Sequence, residues 1–211
     1  LHRATLDDVD AESAGAFLLA FELGILLGGD EGGEVGAGEA ALLRLLTPLV
    51  KATTGKQAAA GVSELVEAFG GAGHVEDTGI PVLLRDGQVL PLWEGTTNVL
   101  ALDLLLRADL DQGLAALRQR ITRACGTATD AELGSARAAS LAAVDRAIDW
   151  HHATRDPVER QRVARRFTLT LGRALELALL AEHAAAVTGG GDGPAARQAC
   201  RRFRQLGVDL L

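Results

Sequence analysis

Aromatic side chains are scarce in this sequence: they make up 3% of its 211 residues, with two Trp, five Phe and no Tyr. Leu and Ala must therefore fill the core, because apolar residues still account for 48% of the chain. Runs that alternate β-branched or aromatic residues with polar ones are missing, which argues against a β-sheet. Ala, Leu, Arg and Glu are strong helix formers, so the composition predicts an all-α protein.

Methionine is also absent, and residue 1 is Leu. An intact translation product would begin with Met, so we expect this chain to be a fragment or a processed form of a longer protein. Its length suffices for one sizeable domain or for a pair of helical subdomains.

Membrane and metal signals are missing from the sequence as well. We identify no apolar stretch as long as a membrane span and no signal-peptide layout at the N-terminus, and therefore expect a cytoplasmic protein without membrane contacts. Cys125 and Cys200 lack the CxxC spacing, and no His/Cys cluster has zinc spacing. We expect two unpaired thiols in a reducing compartment and no metal site.

The net charge of −7 is distributed unevenly along the chain. Residues 1–110 carry 17 acidic and 6 basic residues, whereas residues 111–211 carry 11 acidic and 15 basic residues, the latter all Arg. Such a split indicates either a surface for nucleic acid or another acidic partner, or helices that pair with other helices of the same protein.

The first helix is predicted over residues 7–27, ahead of an acidic, glycine-rich loop at 28–34. Thr5 and Asp7 are its candidate caps. Its apolar stripe at helical spacing consists of Leu18, Phe21, Ile25 and Leu26.

Further helical patterns predict an all-α architecture of about seven helices, four of which form an antiparallel bundle, with Pro48 expected to kink the second helix. The later helices are predicted at 37–69, from Pro81, and at 95–108, 110–125, 130–152, 157–187 and 194–207, with loops at 70–80 and 189–193. The predicted bundle comprises the helices 7–27, 37–69, 95–108 and 110–125 or a neighbour. We divide the chain into a helical bundle, 1–110, and additional Arg-rich C-terminal helices, 111–211.

One run combines a glycine turn, an Arg-Asp pair and an acid just before a new helix. It comprises Gly70-Gly71-Ala72-Gly73, Leu84-Arg85-Asp86 and Trp93-Glu94-Gly95-Thr96-Thr97-Asn98. An acid beside a Trp and a Gly at a helix entrance is placed to point into a pocket. From spacing alone, Glu94 is equally a candidate to cap the following helix.

This run resembles the C-terminal helical domain of acyl-CoA dehydrogenases, over about residues 44–106. The resemblance implies an acyl-CoA substrate and FAD, with Glu94 as the base that takes the α-proton while hydride leaves the β-carbon for the flavin. It implies that Thr96 and Asn98 lie close to the flavin. It also implies that the backbone at Gly70 and Gly71 helps hold the FAD of a neighbouring subunit in a homo-oligomer.

The family's middle β-domain and N-terminal helical domain are absent from this sequence, so we expect this chain alone to be inactive and to bind no FAD. Its tail beyond Asp111 is similar to the branch with extra C-terminal helices that includes the alkylation-response protein AidB. That resemblance implies DNA binding as an alternative function, and a purely structural oligomerisation bundle is a third. The candidate phosphate-binding residues are Arg160, Arg162, Arg165, Arg166, Arg201, Arg202 and Arg204.

The remaining polar residues are assigned structural roles. We expect Arg85 and Asp86, which precede the acid, to anchor the loop to a neighbouring helix, and Lys51 and Lys56 to be solvated. The lone histidines have no partner at metal spacing and are expected at the surface or packed: His74, His151, His152 and His183.

Overall fold

The structure, a computed structural model, describes residues 1–107, 109–126, 131–187 and 193–211. Within these ranges it contains nine α-helices, one 3-10 turn and no strand, which confirms the all-α prediction. The helices are α1 His2–Glu31, α2 Ala37–Ala68, α3 Gly71–His74, α4 Ile80–Val89, α5 Thr97–Leu106, α6 Leu110–Cys125, α7 Ala131–Ala153, α8 Pro157–Ala186 and α9 Gly193–Leu206. The 3-10 turn, Glu76–Thr78, lies between α3 and α4.

Most predicted helix ends agree with the structure to within two residues, because Gly, Pro and capping residues mark them. Asp156 accepts a hydrogen bond from the backbone N–H of Val158 at 3.0 Å, directly before Pro157 opens α8. Residue 130, predicted to begin α7, and residues 189–192 of the predicted linker lie outside the described part of the chain.

The first helix is longer than predicted, and its candidate caps are wrong. Thr5 and Asp7 lie inside α1, since the N–H of Thr5 already donates to Leu1 O at 3.2 Å. At the other end, α1 continues through Gly28 and Gly29 to Glu31, so only part of the predicted glycine-rich loop exists as a loop. A mid-helix glycine costs about 1 kcal/mol relative to Ala, which tertiary packing of a long helix offsets.

The predicted apolar stripe of α1 is only half right: Leu18 and Leu26 pack against the core, whereas Phe21 and Ile25 do not. The buried residues of the helix are Ala11, Gly15 and Leu19, whereas Phe21 and Ile25 are 58% and 72% exposed. Small residues face the core because other helices approach closely there: a Cβ at Gly15 would lie 2.9 Å from the Phe203 ring. Some large apolar residues of α1 remain on the outside, since Phe17, Phe21 and Ile25 are exposed.

α1 is long and apolar enough to cross a membrane by length and composition, with a mean hydropathy of 1.5 over its most apolar window. The expectation that no segment reaches this length was therefore wrong. Core helices of soluble proteins can be just as long and apolar. In the structure, α1 packs against α2, α8 and α9.

The centre of the bundle is α8, which the predicted set of four helices did not include. Its residues Phe167, Leu171 and Leu175 are fully buried. The helix packs against α1, α2, α5, α6, α7 and α9, so one core runs through both parts of the chain. The predicted division near residue 110 stays a prediction.

α2 continues through Pro48, whose missing N–H leaves the carbonyl of Arg44 without its helical partner. Arg107, just after α5, supplies the replacement: its Nη1 donates to Arg44 O at 3.0 Å. The proline is thus accommodated within an unbroken helix, and the repair fixes the end of α5 against α2.

The uneven charge distribution is used for pairing between helices. Three arginines of the second half bind acids of the first half: Arg120 binds Glu22, Arg173 binds Glu12, and Arg202 binds Asp7 and Asp8. Of the two interpretations of the charge split, pairing within the protein therefore describes these arginines. Cys125 and Cys200 are both buried in the core, and neither forms a disulfide within the described residues.

Candidate functional site

The turn between α4 and α5 carries the predicted acid in an unusual backbone conformation. The N–H groups of Leu92 and Trp93 both donate to Val89 O, at 2.9 and 3.2 Å. Glu94 then has a positive φ of 54°. No other non-glycine residue in the described ranges has a positive φ. Left-handed conformations are costly for residues with a side chain and concentrate at functional sites.

Lys51, on α2, binds this turn through its ammonium group. Its Nζ donates to Leu90 O at 2.8 Å and to Gly95 O at 3.2 Å, so the two carbonyls on either side of Glu94 share one ammonium group. The prediction that Lys51 is solvated was wrong. A contact across 39 and 44 residues depends on the tertiary approach of α2 to the turn, which no local pattern reveals.

Gly55, one turn further along α2, allows the same approach. A Cβ there would lie 3.4 Å from the carbonyl carbon of Leu90 and from Pro91 Cα. A larger side chain would push the turn away from the helix.

A groove of about 580 Å³ runs between α1 and α2 and reaches this turn. Trp93 and Glu94 belong to its rim. Its walls are mainly small or apolar residues: Val9, Ala16, Ala20, Ala58, Val62 and Leu65. Glu12 and Gln57 add polar groups to the lining. The acid therefore lies beside a mainly apolar concave surface, as its position in the motif predicted.

The apolar residues next to Glu94 in the sequence shelter it only incompletely within this chain. Trp93 and Leu92 are each 60% exposed and Leu90 is 44% exposed, and only Pro91 of the flanking apolar residues is buried. Glu94 itself is exposed. Exclusion of water strengthens a carboxylate as a base, and this chain alone leaves Glu94 exposed to water.

The N-terminus of α5 offers unoccupied hydrogen-bonding groups. Thr96 is the N-cap residue, and its hydroxyl makes no capping hydrogen bond. Asn98 is exposed. No hydrogen bond joins the Glu94 carboxylate to α5 within the described residues, where Thr96 is the N-cap residue. The first N–H groups of a helix attract anions and polar ligands.

The segment 70–80, predicted to be a loop, contains the short helix α3 and the 3-10 turn. Gly70 has φ = 59° and is exposed, and a Cβ at Gly70 or Gly71 would meet nothing within 4 Å. Gly73 differs, because a Cβ there would overlap Val66 O. The backbone at Gly70 and Gly71 is therefore open to a ligand.

The structure does not bring Gly70 together with Glu94. The Glu94 turn contacts α2 at Gly55, and the helix length between Gly55 and Gly70 corresponds to about 22 Å. Within one chain, these are two separate surfaces.

Arg85 forms a two-pronged ion pair with Glu76 of the 3-10 turn, with N–O distances of 2.9 and 3.1 Å. The pair ties α4 to the segment before it, the anchoring role that we predicted for Arg85. Both side chains are mostly exposed.

Two histidines have a shared partner that sequence spacing did not reveal. Nε2 of His151 and of His152 lie 3.0 and 3.2 Å from Asp111 Oδ1, so the prediction that they lack a partner at metal distance was wrong. Arg160 Nη2 lies 3.0 Å from His151 Nδ1. Because a guanidinium only donates, Nδ1 accepts and the proton sits on Nε2, which then donates to Asp111 instead of binding a metal. Burial lowers the pKa of His151, which favours this neutral form.

The fold and this turn define a class of protein. Residues 31–108 match the family model "Acyl-CoA dehydrogenase, C-terminal domain". The chain therefore carries the C-terminal helical domain of the acyl-CoA dehydrogenase family.

Known relatives agree with this assignment. The chain is 40% identical to acyl-CoA dehydrogenase family member 11 of Caenorhabditis elegans over 194 residues, or 87% of this chain and 31% of the relative. It is 39% identical to putative acyl-CoA dehydrogenase AidB of Escherichia coli over 69 residues, or 33% of this chain and 13% of the relative.

A solved structure shows the same fold. The crystal structure of C. elegans ACDH-11 in complex with C11-CoA superposes with a TM-score of 0.86 at 35% identity, over 97% of this chain and 36% of that chain. The chain thus spans about a third, or less, of the length of the relatives that it matches.

Proposed function

We propose that this chain works as the C-terminal domain of an FAD-dependent acyl-CoA dehydrogenase, with Glu94 as the base that removes the α-proton of an acyl-CoA thioester. The observation that carries the proposal is the position of Glu94: a left-handed turn presents it at the rim of a mainly apolar groove. A carboxylate held by the backbone beside apolar walls suits proton abstraction, once further protein surface and the substrate exclude water.

Acyl-CoA is the substrate class that fits best. The C. elegans relative was crystallised with C11-CoA, and several relatives are named acyl-CoA dehydrogenases. The apolar groove beside Glu94 offers one wall for an acyl chain. Glu94 would take the α-proton at a carboxylate oxygen, which needs a heavy-atom distance of about 3 Å from the α-carbon in the bound complex.

The residues that we assign to FAD fit such a ligand. Thr96 and Asn98 present a free hydroxyl and an exposed amide at the N-terminus of a ten-residue helix. Gly70 and Gly71 leave open space where a cofactor of a neighbouring subunit could approach the backbone. When bound, FAD supplies the acceptor for the hydride from the β-carbon. The separation of the two surfaces agrees with contacts to two different FAD molecules.

The test is reduction of the flavin in the full-length protein. Anaerobic addition of a saturated acyl-CoA is expected to bleach the flavin absorbance, and a series of chain lengths would identify the preferred substrate. A full-length flavoprotein whose flavin stays oxidised with every acyl-CoA of the series would contradict the proposal.

We propose a homo-oligomer as the working form. Phe17 and Phe21 stack on each other at 4.4 Å on the outside of α1, and Ile25 continues this exposed apolar surface. Contiguous apolar patches of this kind mark interaction surfaces. Sedimentation at micromolar concentration is expected to give a dimer or a larger species, and a clean monomer would count against it.

DNA binding, the alternative function, has less support from the geometry. Four of the seven candidate arginines are engaged within the protein: Arg160, Arg162, Arg201 and Arg202. Arg165, Arg166 and Arg204 are exposed. If they bind phosphate, duplex DNA should shift at low salt and be released as salt rises. The absence of a shift at low salt would leave only the dehydrogenase and the structural oligomerisation bundle.

A further inference from the structure

We propose that Lys51 is a positioning residue for the base: it holds the backbone of the Glu94 turn and so places the carboxylate for proton abstraction. This inference rests on the proposed function of Glu94. It goes beyond it by assigning the geometry of the reaction to a residue on another helix that has no part in the proton transfer.

Among the described residues, both hydrogen bonds of the Lys51 side chain go to the turn, and the side chain also lines the groove. Its side chain is half-buried, and its two hydrogen bonds go to Leu90 O and Gly95 O, which bracket Glu94 in the sequence. Leu90 is also the C-cap residue of α4, where unpaired carbonyls and the helix dipole favour a cation. One ammonium group therefore fixes both ends of the segment that carries the base.

The turn needs such support, because little else in the described residues restrains Glu94. Its side chain is exposed and accepts no hydrogen bond from them, so its position follows from its backbone. That backbone is held at φ = 54°, a conformation that persists only where surrounding contacts impose it. Gly55 keeps α2 in contact with the turn but makes no directional bond. Lys51 provides the directional bonds.

Misplacement has a predictable kinetic signature. Moving a catalytic group by about 1 Å can slow the chemical step by about 100-fold, whereas binding of distant parts of the substrate is little affected. Loss of the Lys51 contacts should therefore slow flavin reduction and leave acyl-CoA affinity nearly unchanged. A general loss of folding would instead lower flavin content, affinity and rate together.

The experiment compares Lys51→Met with Lys56→Met in the full-length flavoprotein. Lys56 lies on the same helix and makes no side-chain hydrogen bond or ion pair among the described residues, so it is a matched control for loss of a lysine. Lys51→Met is expected to reduce flavin about 100-fold more slowly at saturating acyl-CoA. Lys56→Met should react at the wild-type rate, and Lys51→Arg should recover most of the lost rate.

Hydrogen exchange gives a second readout, independent of turnover. The amides of Leu92 and Trp93 are bonded to Val89 O, and in Lys51→Met they should exchange about tenfold faster or more, since a charged hydrogen bond restraining the turn is lost. Exchange in α2 and α8 should not change. If Lys51→Met does not fold, the shorter Lys51→Gln replaces it in both measurements.

The outcomes separate this inference from the proposed function. If Glu94→Gln loses flavin reduction but Lys51→Met keeps the full wild-type rate, only the role of Lys51 is overturned, and the role of Glu94 stands. Unchanged exchange of the turn in Lys51→Met would overturn it as well. Failure of the wild-type protein to reduce flavin would overturn the function, with the exchange data still deciding whether Lys51 holds the turn.

Discussion

Arg173 on α8 forms a bidentate ion pair with Glu12 on α1: Nη1 donates to Oε2 at 2.9 Å and Nη2 donates to Oε1 at 2.7 Å. The same side chain donates to Gly207 O at 2.7 Å and lies over the Phe203 ring at 4.4 Å. Its side chain is 12% exposed and that of Glu12 is 24% exposed. A single arginine thus joins the first helix, the central helix and the C-terminal segment.

Arg173→Met should therefore destabilise the protein by about 2 kcal/mol, because it leaves the carboxylate of Glu12 poorly solvated and unpaired. Urea unfolding measures this loss as a lower midpoint concentration with an unchanged m-value. Arg162→Met is the control, since Arg162 and Glu159 form an exposed pair on the same helix, which should contribute less than about 1 kcal/mol. Equal effects of the two substitutions would contradict the assigned role of Arg173.

Glu176, on α8, is fully buried, and burial raises its pKa to about 8. Its Oε2 accepts from Gln57 Nε2 at 3.1 Å, and its Oε1 has no hydrogen-bond partner among the described residues. Because the folded state holds the proton more tightly than the unfolded state, stability is greatest below the ordinary pKa near 4.5 and falls as pH rises toward 8.

Glu176→Gln removes this ionisation and keeps the shape of the side chain. We expect the free energy of unfolding of the variant to exceed that of the wild type by about 2 kcal/mol at pH 8 and to change less between pH 5 and pH 8. Thermal or urea unfolding across this pH range tests it, with exposed Glu67→Gln as the control. Parallel pH profiles for wild type and Glu176→Gln would show that this carboxyl does not titrate as assigned.

Gly172 on α8 permits a close approach to α2. A Cβ there would overlap Thr53 Oγ1 and lie 3.0 Å from Thr53 Cγ2, and Thr53 is itself buried. Gly172→Ala should cost about 1–3 kcal/mol through overpacking. Combining it with Thr53→Ala should recover part of that loss.

Gly24→Ala on α1 is the matched control, since a Cβ there meets nothing within 4 Å. It should stabilise the helix by about 0.5–1 kcal/mol. Destabilisation by Gly24→Ala equal to that by Gly172→Ala would mean that backbone effects, not the contact with Thr53, set the outcome.

Much of the helix layout could be predicted from the sequence because local signals mark it. Gly36 and Gly70 flank α2, and Pro157 opens α8 behind the capping Asp156. On α8, apolar residues recur at i, i+4 spacing from Val163, and the last four of them, Phe167, Leu171, Leu175 and Leu179, are buried. Apolar spacing was only partly right for α1, since nearly every face of that helix carries apolar residues: Leu18 and Leu26 pack against the core, whereas Phe21 and Ile25 are exposed.

The candidate site was only partly predictable. The motif around Glu94 locates the acid before a helix, and the structure adds the left-handed backbone and the groove. Lys51 and the Asp111–His151 contact were missed because each joins positions about 40 residues apart, where the approach of whole helices decides which groups meet. No local pattern carries that information.

The central claim is that Glu94 removes the α-proton. Glu94→Gln keeps nearly the same volume and hydrogen-bonding shape but cannot take a proton, so flavin and acyl-CoA should still bind to the full-length protein. Flavin reduction by acyl-CoA, followed by stopped-flow absorbance, should slow by about 100- to 10,000-fold, the contribution of a positioned general base. A Glu94→Gln trace that shows the wild-type reduction rate would contradict the claim and leave Glu94 with a structural role.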